Sequence, residues 1–449
     1  MDLDILHQVQ KELSCAICLN YMMDPVTINC GHSFCRPCVC LAWEEAKSPV
    51  LCPVCREPAQ KEDFKTNVHL KNLVSIARQT SIQHSQNSEE DMCGTHKETR
   101  KIFCEEDKSL LCVLCSDPQE HAGHRHCAID HAAENSREML AKQMRSLWKQ
   151  MEENQRNLNE ESTILSEWTL YMCWQRENIK VSYEMLHPGP HQDEKQHMDT
   201  LRKQHNSIFQ KLKKSKAKMV LKKQQLKKIY KELMKMYHQP DVELLQDFGG
   251  LLKRCESLQQ QMPQPVHPKL SAQSIPGLID WLRQFQVEIS FNYGITNQFL
   301  LVRHVRRLMF GQDHQGSRLN SDRFDYAAAW AKQNFSCGKH YWELDMNDSW
   351  EWVLGVCKES GIRNKGTLMH SEGSFILLCW KEERHYRLLT ISPVVTHIVE
   401  NAMSRVGVFL DFERGSLSFV DVARNSLIWR YPDGSLEFPV RPFILTRHT

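Results

Sequence analysis

The sequence contains no apolar run long enough to cross a membrane. A spanning helix requires about 18 consecutive apolar residues, whereas the longest clean run is roughly Phe375–Trp380. The first four residues, Met1–Asp4, carry two acids and no basic segment, which argues against a signal peptide. We therefore expect no membrane partner and no secretion.

The sequence also has little excess of charge of either sign. Its 57 basic and 55 acidic residues give a net charge of +2, which argues against a nucleic-acid binder that acts through bulk charge. Three catalytic motifs are absent from it, namely Gly-x4-Gly-Lys-Ser/Thr, His-Glu-x2-His and Gly-x-Ser-x-Gly. The sequence therefore supports neither a nucleic-acid partner nor these types of catalytic site.

Cysteine, in contrast, is abundant and unevenly placed. Eight of the 18 cysteines lie within Cys15–Cys55 and five more within Cys93–Cys127, which leaves five for the last 322 residues. Without a secretion signal, such clusters indicate metal ligation in a reducing, cytoplasmic compartment rather than a disulfide framework. The length of 449 residues suggests about three domains.

The first cluster has the spacing of two zinc sites. It reads Cys15-x2-Cys18-x11-Cys30-x-His32-x2-Cys35-x2-Cys38-x13-Cys52-x2-Cys55. Zn²⁺ takes four nitrogen or sulfur ligands in a tetrahedron, so eight ligands make two closed sites without an open position for water. Such zinc is structural, and in a region this small it supplies much of the folding energy. Two independent zinc knuckles are the alternative arrangement.

This cluster resembles the C3HC4 RING finger at all eight ligand positions. The resemblance implies one zinc ion on Cys15, Cys18, Cys35 and Cys38 and a second on Cys30, His32, Cys52 and Cys55. It also implies that the domain binds a ubiquitin-charged E2 enzyme and orients the thioester, which is catalysis without a covalent intermediate. The positions expected to contact E2 or ubiquitin are Ile17, Leu41, Trp43, Pro53, Arg56 and Glu12. Pro53 as a simple turn residue and Glu12 as a solvated helix charge remain alternatives.

The second cluster resembles a type-2 B-box, again at eight positions. Its spacing is Cys93-x2-His96-x7-Cys104-x2-Asp107-x4-Cys112-x2-Cys115-x5-His121-x2-His124, and an Asp oxygen is an acceptable zinc ligand. The resemblance implies one ion on Cys93, His96, Cys112 and Cys115 and another on Cys104, Asp107, His121 and His124. His126 and Cys127 are surplus. The two clusters together predict four structural Zn²⁺ ions per chain.

The middle of the chain has the pattern of a coiled coil. From Leu140 to Leu186, ten of fourteen positions with 4-3 spacing are apolar. The other four are Asn154, Glu161, Gln175 and Ser182. A second rhythm runs from Met198 to Met236, and His187-Pro188-Gly189-Pro190 separates the two. Because proline breaks helices, the halves either fold into an intrachain hairpin or form a kinked helix that pairs with a second chain. The order of RING, B-box and coiled coil resembles the tripartite-motif family, and this resemblance favours the antiparallel homodimer.

A basic run lies in the second half of this region. Residues 193–231 hold 13 basic and 3 acidic side chains, and ten lysines fall within Lys211–Lys231. A solvated helix face is the favoured interpretation, and the others are a nuclear-localisation signal or a basic patch that binds RNA or anionic lipid.

The last part of the chain changes to the short, β-rich runs of an all-β sandwich. It resembles the PRY–SPRY (B30.2) domain through Gly338-Lys339-His340-Tyr341-Trp342-Glu343-Leu344 and Leu410-Asp411-Phe412-Glu413, whereas Phe291-Asn292-Tyr293 departs from the usual start. Cys337, Cys357 and Cys379 are expected in its core. The resemblance implies that variable loops bind a protein substrate, and the candidate loops are 318–326, 346–350 with Trp350, 363–372 and 381–385.

These regions, in this order, resemble the tripartite-motif family. We expect a multidomain protein with a small zinc-stabilised RING and B-box, a long antiparallel coiled coil and a C-terminal all-β B30.2/SPRY sandwich. The expected bounds are 1–79 for the RING with flanking helices, 80–91 for a linker, 92–128 for the B-box, 129–238 for the coiled coil with its break at 187–190, 239–276 for a short helix and connector, and 277–449 for the B30.2 domain.

The resemblance implies a RING-type E3 ubiquitin-protein ligase. It would act with an E2 enzyme, ubiquitin and a protein substrate, as a cytoplasmic or also nuclear protein in innate immune regulation. The alternative is an inactive RING scaffold or decoy that acts through protein binding and hetero-dimerisation.

Overall fold

The structure, a computed structural model, describes residues 3–44, 46, 49–60, 65–83, 92–116, 121, 123–186, 192–259, 262–268, 273–295, 299–300, 309–310, 326–346, 351–358, 373–382, 385–390, 395–399 and 402–447. The chain divides into two compact units. The N-terminal unit comprises residues 1–159 and 217–264, and the C-terminal unit comprises residues 160–216 and 265–449.

The first part of the N-terminal unit is built from short elements. They are α1 (Leu3–Glu12), β1 (Pro25–Thr27), β2 (Ser33–Cys35), α2 (Arg36–Ala42), β3 (Val50–Leu51), β4 (Pro58–Ala59), α3 (Val68–Gln83), β5 (Ile102–Cys104), β6 (Leu110–Leu111) and β7 (His126–Ala128). β1 pairs with β2, β3 pairs with β4, and β5 lies between β6 and β7, all antiparallel. The core of the first module contains Met23, Val26 and Phe34, which are fully buried. So small a core needs a further source of stability.

Long helices follow these modules. They are α4 (Ile129–Leu186), α5 (Gln192–Tyr237) and α6 (Asp241–Gln259). The predicted break at Pro188 and Pro190 lies outside the described residues. In the N-terminal unit, Leu140 and Leu147 of α4 share one buried cluster with Leu226 and Leu233 of α5. We call α4 residues 129–159 and α5 residues 217–237 the proximal stem.

Within the N-terminal unit, α4 and α5 run antiparallel, because Arg137 Nε of α4 donates to Tyr237 O of α5 at 3.2 Å and later residues of α4 contact earlier residues of α5. In the proximal stem, Asn154 Nδ2 donates to Met219 O at 3.0 Å. In the C-terminal unit, the Trp168 and His205 rings stack with centroids 6.4 Å apart. The apolar side of α4 is therefore covered by α5 of the same chain, as the hairpin alternative predicts. The expected homodimer is not shown.

The rest of the C-terminal unit is one helix and a β sandwich. Its elements are α7 (Leu278–Arg283), β8 (Phe291–Ile295), β9 (Phe299–Leu300), β10 (Met309–Phe310), β11 (Tyr326–Ala331), β12 (Lys339–Asp345), β13 (Trp352–Lys358), β14 (Ser374–Glu382), β15 (His385–Thr390), β16 (Val395–Val399), β17 (Arg405–Asp411), β18 (Ser416–Asp421), β19 (Ser426–Arg430) and β20 (Val440–Arg447). A seven-stranded sheet has the order β16-β15-β14-β13-β20-β11-β8, and a four-stranded sheet has the order β12-β17-β18-β19. β9 and β10 form a separate pair.

The two-residue period of the strands explains how the sandwich fills its core. Trp342, Val408 and Phe419 of the four-stranded sheet share a buried cluster with Leu354 and Leu377 of the seven-stranded sheet. Side chains that alternate with them point to the opposite face of the sheet. There Tyr341, Phe409 and Val420 pack in a second cluster with Leu278 and Leu282 of α7.

The edge strand β19 is covered by α4. Strand edges present unpaired backbone groups, which proteins commonly cover. Gln175 Nε2 donates to Leu427 O at 3.4 Å, and Asn178 Nδ2 donates to Arg430 O at 3.3 Å. The polar residue Gln175, which interrupts the apolar seam, thus has a partner on the β sandwich.

The multidomain fold class is confirmed. The sequence shows seven β-rich runs, and each overlaps an observed strand: 339–346, 352–358, 375–380, 386–391, 406–412, 417–422 and 427–431. These runs do not include β8, β9, β10, β11, β16 or β20. Alanine is a poor strand former and four of the six residues of β11 are alanine, while Pro442 interrupts β20. The expectation that Cys337 lies in the core is wrong, because this residue precedes β12 and is exposed. Cys357 and Cys379 are buried, as expected.

Among the described helices, none combines the length and the apolar character that a bilayer crossing requires.

Candidate functional site

Four groups of four metal-binding side chains come together in the N-terminal unit. Within each group the ligand atoms all lie within 4.8 Å of one another. The groups are Cys15, Cys18, Cys35 and Cys38; Cys30, His32, Cys52 and Cys55; Cys93, His96, Cys112 and Cys115; and Cys104, Asp107, His121 and His124. They are the same four sets that the RING and B-box resemblance implies. His126 and Cys127 belong to none of them.

We call two ligands separated by two residues, together with the turn between them, a hook. The first group is formed by two hooks, Cys15–Cys18 and Cys35–Cys38, which meet in the first zinc module. Cys18 Sγ and Cys35 Sγ lie 3.7 Å apart. Two backbone amides point at the sulfur atoms: Met23 N lies 3.1 Å from Cys35 Sγ, and Cys35 N lies 3.4 Å from Cys15 Sγ. Such N–H groups stabilise thiolates, which are the form that binds metal.

The second group interleaves with the first along the chain. Cys30 Sγ lies 3.3 Å from His32 Nδ1, and Val54 N donates to Cys52 Sγ at 3.4 Å. The ligand pairs of the two groups alternate along the chain. The two sites therefore tie the short strands and α2 into one body.

The third group shows how the backbone prepares a ligand. Cys93 Sγ and Cys115 Sγ lie 3.7 Å apart. The backbone N–H groups of His96 and Thr95 point at the Cys93 sulfur and lower the pKa of its thiol to about 6. Cys93 is therefore largely a thiolate at neutral pH even before metal binds.

The fourth group mixes one sulfur, one oxygen and two nitrogen ligands. Asp107 Oδ2 lies 2.8 Å from His121 Nδ1 and 2.9 Å from His124 Nδ1. Cys104 Sγ lies 3.5 Å from the same oxygen. The four donor atoms thus converge on one point.

Four hooks share an unusual backbone conformation. The residue after the second ligand has a positive φ of 54–62° in each: Leu19, Arg56, Lys97 and Lys108. Its N–H donates to the carbonyl of the first ligand of the hook at 2.8–3.0 Å. Left-handed backbone costs an L-residue roughly 1–2 kcal/mol, so the hook geometry overrides the local preference of these side chains.

The donor sets fit Zn²⁺. A tetrahedron with zinc–sulfur bonds of about 2.3 Å has sulfur–sulfur edges of about 3.8 Å, close to the 3.7 Å seen in both groups above. All four groups supply four donors, so no position remains for a catalytic water. The chain therefore has four structural zinc sites, and its histidine and cysteine ligands are not available for acid–base or nucleophilic chemistry.

Part of the expected E2-contact set lies on the surface. Ile17 is 38% exposed, and Pro53, Arg56 and Glu12 are exposed as well. Leu51, directly before the last hook, and Val54, inside it, are also about half exposed. Both zinc-held turns thus have accessible apolar side chains, and the exposed Arg56 directly follows the last hook.

Trp43 and Leu41 differ from the expectation. Trp43 is only 4% exposed, and its Nε1 donates to Leu51 O at 2.9 Å. Leu41 is half-buried against the same core. α2 ends at Ala42, and Trp43 braces the strand before Cys52 through its hydrogen bond to Leu51 O.

The candidate substrate loops of the β sandwich lie almost entirely outside the described residues. This applies to 318–325, to 347–350 with Trp350, to 363–372 and to 383–384. Residues that the sequence did not single out are Asp24 and Glu44, which contact the proximal stem. No local signal marks them, because their partners lie more than a hundred residues further along the chain.

Zinc modules, a helical hairpin and a β sandwich in this order define the class: a multidomain zinc-binding protein with RING, B-box, helical and SPRY regions. Family models match in the same places. A zinc finger of C3HC4-type, RING, matches residues 15–55, a B-box zinc finger matches residues 88–129, and the SPRY domain matches residues 339–449.

Curated relatives match over the whole chain. Human (Homo sapiens) tripartite motif-containing protein 49C is 44% identical over 453 residues and covers 100% of both chains. Human tripartite motif-containing proteins 51 and 64C are 43% and 41% identical, with coverage of 100% and 99%. The chain belongs to the tripartite-motif family. A crystal structure of the TRIM65 PSpry domain aligns with 40% of the chain and 98% of its own length, at 17% identity and a TM-score of 0.27.

Proposed function

We propose that the chain is a RING-type E3 ubiquitin transferase. Its RING would bind a ubiquitin-charged E2 enzyme, and its B30.2/SPRY domain would recruit a protein substrate. Family membership with a RING and a SPRY domain supports this role at the level of class. The observation that carries the proposal is the exposure of Ile17 and Pro53 on two zinc-held turns.

The proposed catalysis is orientation of a bound thioester. Ile17 and Pro53 would supply the apolar E2 contact, because both are held by hooks that zinc makes rigid. Arg56 would donate hydrogen bonds to E2 and ubiquitin together, a use that suits a planar group with five N–H donors. Glu12 is exposed and could face ubiquitin. Limiting the motion of a reactive ester lowers the entropic barrier without any group of the RING forming a bond.

Because Arg56 has a positive φ, glycine can replace it without backbone strain, and the role of its guanidinium can be tested separately from the stability of the hook. Arg56→Gly removes the guanidinium and also relieves a backbone cost of roughly 1–2 kcal/mol. A loss of activity in this variant therefore cannot result from unfolding of the hook. Lys97→Gly gives the same relief in the B-box hook and serves as the matched control.

The assay is single-turnover discharge of a ubiquitin-charged E2 to free lysine, with a panel of E2 enzymes. We expect Ile17→Ala and Arg56→Gly to slow discharge at least about tenfold, which corresponds to a loss of about 1.4 kcal/mol of transition-state stabilisation. Lys97→Gly should match wild type. Absence of discharge by the wild type with every E2 would contradict the proposal and leave the inactive binding scaffold.

The sixteen residues of the four groups are the proposed zinc ligands. The B30.2 loops named from the sequence, with Trp350 as the anchor, are the proposed substrate contacts. Innate immune regulation and a cytoplasmic, or also nuclear, location are predictions of the family resemblance.

The homodimer also remains a proposal, and the hairpin suggests a route to it. The observed pairs, such as Asn154 with Met219 and Trp168 with His205, are placed nearly symmetrically about Pro188. Two chains that exchange α5 would form the same pairs between chains, as in domain swapping. Crosslinking followed by mass determination tests this: a dimer at micromolar concentration supports exchange, and a monomer contradicts it.

A further inference from the structure

The RING does not stand free of the coiled coil, because its acidic residues meet basic residues of the proximal stem. Glu44, two residues beyond the end of α2, lies 2.7 Å from Lys227 Nζ and 3.3 Å from Lys223 Nζ. Its side chain is only 11% exposed, so the ion pairs are shielded from water far more than an ordinary surface pair. Burial alone would raise the pKa of Glu44, yet the two ammonium groups outweigh it and hold the pKa below its usual value.

A second buried carboxylate joins the same two parts. Asp24 is nearly inaccessible and accepts from Arg36 Nε of the RING at 2.7 Å. Arg145 Nε of α4 lies 3.1 Å from the same oxygen. Thr66 Oγ1 donates to the second oxygen at 3.0 Å. A buried charge with these partners has a fixed geometry, because loss of either arginine would leave it under-compensated.

In α3, the helix after the RING, the basic group is on the RING side and the acidic group is on the stem. The Arg78 guanidinium lies 4.8 Å from the centre of the Tyr237 ring and donates to its hydroxyl at 3.2 Å. Arg78 is also 3.9 Å from Glu134. The RING thus offers acids to stem bases, and α3 offers a base to a stem acid.

The E2-contact residues lie outside these contacts. Ile17, Pro53 and Arg56 are exposed, whereas Asp24 and Glu44 are buried against the stem. The stem therefore holds the RING by one surface and leaves the proposed E2 surface accessible.

We propose that Asp24 and Glu44 are positioning residues, which fix the RING on the proximal stem and so fix the direction in which a bound E2 presents ubiquitin. This inference rests on the proposed ligase function. With a fixed direction, ubiquitin reaches a restricted set of lysines. With the contact broken, the E2 surface is intact but the RING turns on its flanking segments and ubiquitin spreads over more lysines.

The test uses the full chain with zinc and a charge reversal. The variants are Glu44→Lys, the pair Lys223→Glu/Lys227→Glu, and the triple combination of both. Glu98→Lys, an exposed reversal in the B-box, controls for net charge. The contact itself is measured by carbodiimide coupling, which joins a carboxyl to an amine without a spacer, followed by peptide mass spectrometry. We expect a Glu44–Lys227 linkage in wild type.

Function is measured by two readouts. E2 discharge to free lysine reports the E2 surface, and a mass-spectrometric map of autoubiquitinated lysines reports direction. We expect Glu44→Lys to keep discharge within about twofold of wild type while the share of ubiquitin on the most-modified lysine falls at least twofold. The triple variant should restore the wild-type map, which a merely unfolded RING would not do, and Glu98→Lys should change neither readout.

The outcomes separate this inference from the proposed function. An unchanged map in Glu44→Lys, or no restoration in the triple variant, overturns the positioning role while discharge stands. Absence of the carbodiimide linkage in wild type overturns the contact itself. Absence of wild-type discharge with every E2 overturns the ligase function and the positioning role with it.

Discussion

Arg137 joins three helices of the N-terminal unit, and its removal is expected to open their junction. Its Nε donates to Tyr237 O at 3.2 Å, and its Nη2 donates to Gln239 O at 3.0 Å and to Asp241 Oδ1 at 2.7 Å. The two charged side chains are 6% and 7% exposed. Burial raises the pKa of Asp241, and Arg137 offsets this only in part.

Arg137→Met keeps the apolar part of the side chain and removes all three hydrogen bonds. A buried carboxylate is then left without its partner, which typically costs about 3–5 kcal/mol. Adding Asp241→Asn removes the orphaned charge and should recover about 1–3 kcal/mol of this loss. Arg125→Met is the matched control, because Arg125 also pairs with a carboxylate but its side chain is 80% exposed, and such pairs contribute at most about 1 kcal/mol.

The measurement is hydrogen exchange of the α6 amides at neutral pH, since a chain of several domains does not unfold in a single step. A loss of about 3–5 kcal/mol should speed exchange by roughly two to three and a half orders of magnitude, because each 1.4 kcal/mol is tenfold. If Arg137→Met changes α6 exchange no more than Arg125→Met does, or if Asp241→Asn gives no recovery, the reasoning is wrong.

Three further predictions concern zinc and the sandwich. A chelator should raise hydrogen exchange throughout residues 1–130 and leave the B30.2 strands protected, because the four metal groups lie in the first part of the chain; equal loss in both would contradict this. Because the pKa of the Cys93 thiol is lowered to about 6, the stability that its thiolate provides is complete above the ordinary pKa of about 8.5 and is lost as the pH falls through 6. Zinc release followed with a metal-sensitive dye should therefore rise below pH 6, and release that does not depend on pH would contradict it. A Cβ on Gly355 would lie 2.0 Å from Phe375 O, so Gly355→Ala should destabilise the sandwich by about 3 kcal/mol or more in denaturation followed by tryptophan fluorescence. Gly434→Ala is the control. An added Cβ at this position meets no atom within 4 Å, and only the positive φ opposes it, so the variant should lose about 1–2 kcal/mol of stability. Equal effects of the two substitutions would refute the steric argument.

The sequence predicted those parts of the molecule whose cause is local. Zinc ligation depends on short spacings, so the four groups could be named from the cysteine and histidine pattern and the RING and B-box resemblance. Burial of the coiled-coil seam and of most strands follows from periodicity. The alanine-rich β11 and the proline in β20 hid two strands, because sheet packing there overrides local preference.

Other features depend on contacts between distant segments and could not be predicted. Glu44 is one acid among many until the fold brings Lys223 and Lys227 to it. Gln175 looks like a weak point in a helical seam until β19 lies beside it. The inward direction of Trp43 is set by where α2 ends, which spacing from Cys38 does not determine.

Autoubiquitination with a panel of E2 enzymes tests the central claim most directly. The wild-type chain is compared with Ile17→Ala, which alters the E2 surface, and with Cys15→Ala, which removes a proposed zinc ligand. We predict ubiquitin chains with at least one E2 for the wild type and strongly reduced products for both variants. Wild-type protein that forms no chains with any E2, or a Cys15→Ala variant as active as wild type, would contradict the account.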